Sequence, residues 1–63
     1  MTTVSVDPAS LQLGDPVIID KDKGTIRIVD GPDQNGTFDI YLDNDGGGCH
    51  KIVRDPVQLI ISE

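Results

Sequence analysis

Sixty-three residues, of which 37% are hydrophobic and 3% aromatic, suffice for one small domain spanning residues 1–63. A formal net charge of −6 opposes generic binding to nucleic acid or anionic membranes, whose phosphates it would repel. A single cysteine excludes an internal disulfide framework, and no apolar run approaches the roughly 18 residues of a membrane span.

Of the eighteen Val, Ile and Leu residues, fourteen are β-branched, which suits pleated strands and restricts helices. Turn formers interrupt the chain so often that no helical period persists, and the pattern predicts an all-β fold. Met1 to Val6 lacks the basic and apolar parts of an export signal, which predicts a cytoplasmic protein. Residues 1–10 read as an N-terminal segment in which Asp7 caps, and Pro8 opens, a short helical turn. Gly14-Asp15-Pro16 then launches a first strand, Val17 to Ile19. A tight connection, Lys21 to Gly24, leads to a second strand, Thr25 to Val29, with Gly24 supplying a positive φ. A polar loop closing on Asn35-Gly36 precedes a third strand, Thr37 to Leu42, which places Phe38, Ile40 and Leu42 inward. Asp43 to Gly48 forms a flexible tip before a fourth strand, Cys49 to Val53, and Arg54-Asp55-Pro56 turns into a last strand, Val57 to Ile61. The expected inward set is Val17, Ile19, Ile26, Ile28, Phe38, Ile40, Leu42, Ile52, Leu59 and Ile61.

Three segments carry a family likeness: Leu13 to Ile19, Gly24 to Val29, and Asp55 to Ile60. Together they resemble the SH3-like barrels of the KOW and Tudor kind over about residues 11 to 61. The resemblance implies a small five-stranded SH3-like barrel with a short N-terminal helical turn. The ligands of those families do not follow. A Tudor-type cage needs several aromatics around a methylated cation, whereas Phe38 and Tyr41 point to opposite faces of one strand. A PxxP groove has the same need, and KOW-type contact with RNA calls for more than five Lys and Arg. In size, acidity and Asp-Pro and Gly-rich turns the chain is also similar to the compact acidic proteins that actinobacteriophages encode. That likeness implies residence in the host cytoplasm or the virion.

Chemistry-bearing groups are sparse. Asp43 to Gly48 fails the EF-hand spacing, since a ligand would fall on Gly47 and the bidentate acid on Arg54; a hairpin tip explains it better. The same glycines make a poor phosphate cradle, because Asp43 and Asp45 flank them and a strand follows. Cys49 and His50 are neighbours on a strand, so their side chains diverge and cannot form a nucleophile–base pair. The sequence therefore predicts no catalytic residue, no metal and no cofactor, and leaves open only a loose cation site built from Asp43, Asp45 and backbone carbonyls. Most of the ten Asp residues sit at turns, which disfavours mimicry of a DNA backbone without removing it.

More telling are apolar residues off the inward set: Ile18, Val29, Tyr41, Val53 and Ile60. Either Val4 and Val6 cover some of them as a second small core, or they form a docking patch; the pattern leaves both open. Ile18 and Ile60 are expected to be neighbours where the first and last strands meet. The functional expectation is a non-enzymatic protein-interaction module, binding another protein or itself but neither nucleic acid nor membrane. A virion accessory or decoration protein fits that description. The alternative is an acidic inhibitor of a host nucleic-acid-binding protein.

Overall fold

Short β-rich segments separated by turn formers build six strands and one 3-10 turn in the computed structural model, which describes residues 1–63. The strands are β1 (Thr2–Val6), β2 (Pro16–Ile19), β3 (Asp22–Asp30), β4 (Phe38–Asp43), β5 (Cys49–Val53) and β6 (Val57–Ser62). Between β1 and β2, Asp7 caps the 3-10 turn Pro8–Ser10, its carboxylate accepting from the Ala9 amide at 2.9 Å. All pairings are antiparallel, in the order β1-β6-β2-β3-β4-β5.

The all-β expectation holds, but the closed five-stranded barrel does not. Hydrogen bonds leave the sheet open, with β1 and β5 as its edges. The sixth strand is the segment Thr2–Val6, whose Thr and Val residues favour extended backbone and which pairs Val4 with Leu59 and Val6 with Val57. The meeting of β2 and β6 is as expected, with Val17 opposite Leu59 and Ile18 opposite Gln58.

The open sheet is nevertheless strongly curled. Lys51 of β5 forms an ion pair with Asp22 at the start of β3, although β4 lies between those strands. In a flat sheet, Asp22 would sit on the order of 20 Å along β3 from the row that Lys51 occupies. Curling brings the two together over the concave face, and the Lys51 side chain is only 17% exposed there. Asp22 holds the ammonium in its charged form and raises its pKa above the ordinary lysine value.

Val17, Ile19, Ile26, Phe38, Ile40, Leu42 and Val57 form the core on that concave face. Three members of the expected inward set are instead exposed: Ile28, Ile52 and Ile61. In β3 a bulge lies between Ile26 and Ile28, so Ile26 opposes Leu42 while Val29, not Ile28, opposes Ile40 and packs on the core. In β5 the phase is set by Cys49 opposite Leu42 and Val53 opposite Phe38, which turns Ile52 outward. In β6 the register breaks between Thr3–Ile60 and Thr2–Ser62, leaving Ile61 unpaired.

The β2–β3 turn also differs from expectation. Asp20 and Lys21 carry the positive φ angles, 51° and 72°, so the tight turn runs from Ile19 to Asp22, two residues earlier than Lys21–Gly24. Gly24 serves another purpose inside β3. A Cβ there would stand 2.8 Å from the Asp43 carbonyl oxygen.

Candidate interaction surface

The bulge in β3 determines what the convex face of β3, β4 and β5 displays. Directly paired residues share a face, so Ile28, Tyr41 and His50 form one outward row across the three strands. Asp30, Asp39 and Ile52 form the next row. Ile28 is 46% exposed, Tyr41 38% and Ile52 66%, so three large apolar groups meet water on this face, while Met1, Val4, Leu13 and Ile61 are exposed outside β3, β4 and β5. Arg27 lies at the bulge with its guanidinium 3.7 Å from Asp43, marking one end of the patch.

His50 fixes the geometry of the patch. Its ring lies flat on Tyr41, with centroids 4.4 Å apart and planes 5° apart. Its Nε2 is 2.9 Å from the Asp39 carboxylate. One side chain thus braces both the aromatic ring and the acid beside it. Cys49 points to the opposite face, against the core, where its Sγ is 3.9 Å from the Asn44 amide nitrogen. The divergence expected for Cys49 and His50 is what the strand produces.

The five apolar residues singled out in the sequence do not form one surface. Tyr41 is on the convex face described above. Val29 and Val53 pack against the core cluster. Ile18 and Val53 line an open cleft of about 270 Å³, bordered also by Asp20, Pro56 and Val57, at the seam where β5 faces β2 and β6 without pairing. Ile60 is 5% exposed and sits opposite Thr3, outside the main core cluster. Ile18 and Ile60 do not oppose each other, because Gln58 is the partner of Ile18.

Sequence reasoning missed Ile28, Ile52, Asp30, Asp39 and His50 as a joint surface. A signal was present in the doublets Ile28-Val29 and Ile52-Val53, where strict alternation breaks down and one of each pair must face outward.

The loop between β4 and β5 behaves as a hairpin tip, organised by a residue the sequence reasoning did not name. Asn44 Oδ1 accepts from the amides of Gly46 at 2.9 Å and Gly48 at 3.2 Å, while Gly47 and Gly48 adopt positive φ. Several acids of the chain are likewise occupied locally, among them Asp7, Asp15 and Asp33. Asp33 accepts from the amides of Asn35 and Thr37, and those bonds lower its pKa below the ordinary aspartate value. Glu63 is lowered in the same sense by the Lys23 ammonium 2.7 Å away. No helix is long and apolar enough to cross a membrane.

No family model matches this chain, and neither a curated protein nor a solved structure matches it.

Proposed function

We propose that this chain is a non-enzymatic interaction module that docks another protein on the convex face of β3, β4 and β5. The observation that carries the reading is the cross-strand set Ile28, Tyr41 and Ile52, exposed together on a braced sheet rather than scattered singly. An aromatic ring pre-set by His50 loses little side-chain freedom on binding, which favours Tyr41 as an anchor. The seating of Cys49 and His50 on opposite faces supports a non-enzymatic role.

Within this reading the fold is a half-open SH3-like barrel with an added edge strand, supported by the pairing of β2 with β6 and by the curl that Lys51 and Asp22 hold. A virion accessory or decoration protein, docked by its apolar face on a shell, is the version that fits the phage-like size and acidity. An acidic inhibitor is the weaker version, because Asp22, Asp33 and Asp43 are engaged with partners inside the chain.

The test is affinity capture from the native host lysate with the wild-type chain and with an Ile28→Ser, Ile52→Ser double variant. The expected result is a partner held by the wild type at about 0.5 M salt, where exposed charge pairs are screened, and lost by a variant of unchanged melting temperature. Equal capture by both chains would overturn the reading, and capture that vanishes with salt would favour the inhibitor.

A further inference from the structure

We infer that the partner presents a cationic side chain, an arginine in preference to a lysine, seated over Asp30 and Asp39 with an apolar neighbour against Tyr41 and Ile52. The inference rests on the convex face being the docking surface, and it names the chemistry of the occupant.

Asp30 and Asp39 are directly opposed on neighbouring strands. Residues so placed have Cβ atoms about 5 Å apart, where like charges repel. The pairing is therefore unfavourable within the chain alone. Asp30 takes part in no ion pair, and the one cationic candidate near Asp39 is the His50 ring. Arg27 lies at the opposite end of the patch, turned toward Asp43. The row of Asp30, Asp39 and Ile52 thus sets two carboxylates beside the most exposed isoleucine of the face.

Charge complementarity selects the occupant. A second copy of this chain would bring acid against acid, with a net charge of −6 on each side. A planar guanidinium can reach two carboxylates at once through its forked donors, which a single ammonium does less well. Apolar contact beside it removes water from the pair and strengthens the attraction.

The experiment uses the full ¹⁵N-labelled chain and three synthetic peptides built on Arg–Val, Ser–Val and Glu–Val repeats, titrated at neutral pH and low salt. The Arg–Val peptide should shift the amides of residues 28–30, 39–41 and 50–52 and leave the β1 edge unmoved. Asp30→Asn should weaken that binding at least roughly tenfold while holding or raising the melting temperature, because it removes a repulsion. Equal binding of the Ser–Val peptide at the same residues would overturn the cation seat and leave the docking face standing. Shifts confined to other parts of the chain, or no shifts at all, would also overturn the inference. The lysate capture then judges the docking face separately.

Discussion

At Lys21 the backbone has a φ of 72°, a conformation in which an L side chain crowds its own carbonyl. Asp20 before it, at 51°, is better suited, because its short polar side chain tolerates the left-handed region. Neither residue announces the turn in the sequence. The nearest glycine is Gly24, and the expectation fixed on it, whereas the glycine is there to let β3 pass the Asp43 carbonyl. By contrast Gly47 and Gly48 were legible as positive-φ positions, since three successive glycines leave few other uses. Lys21→Gly should therefore stabilise the protein by about 1 kcal/mol, the usual penalty of a non-glycine residue in this region less the entropy glycine adds to the unfolded chain. Urea unfolding of the two proteins checks this, and a lower midpoint for the variant would contradict the strain argument.

Among elements, β4 could be read directly because Phe38, Ile40 and Leu42 alternate with Asp39 and Tyr41 without interruption. β3 and β5 could not, since period two cannot register a bulge or tell which member of an Ile-Val doublet faces inward. β1 escaped notice because Val4 and Val6 are its only apolar residues, and its pairing partner lies at the far end of the chain. The loop between β3 and β4 was legible as a loop, but its fastening was not. Asp33 Oδ1 accepts from the amides of Asn35 at 2.8 Å and Thr37 at 3.0 Å, and those bonds favour the charged carboxylate. A carboxylate lowered in the folded state contributes stability above its unfolded pKa and loses it as pH falls through the folded value. The melting temperature of the wild type should exceed that of Asp33→Asn at neutral pH, and the gap should narrow below the ordinary aspartate range. A gap that stays constant into acid would show that the loop does not depend on the charge.

Across the whole molecule, what the sequence left undecided was which side of an open, curled sheet each apolar residue joins. A closed barrel has one inside, and alternation then sorts the residues. Here the concave face holds the main cluster, while Ile60 is buried apart from it and Ile52 remains in water. The two isoleucines look alike in sequence, each in a short apolar run near a strand end, Ile52-Val53 and Leu59-Ile60-Ile61, yet they should respond oppositely to a charge. The general figure per residue gives a domain of this length about 3–9 kcal/mol of total stability. Aspartate at position 60 would place an unpaired carboxylate where 5% of the residue reaches solvent, a penalty of several kcal/mol and comparable to that total. Aspartate at position 52, which is 66% exposed, should change stability by under about 0.5 kcal/mol. Ile60→Asp should therefore give a largely unfolded chain by circular dichroism, and Ile52→Asp a folded one with a wild-type melting temperature. A folded Ile60→Asp would return that residue to the surface and reopen the first docking expectation. Loss of fold in Ile52→Asp would make the convex face part of the core and remove the basis for docking there.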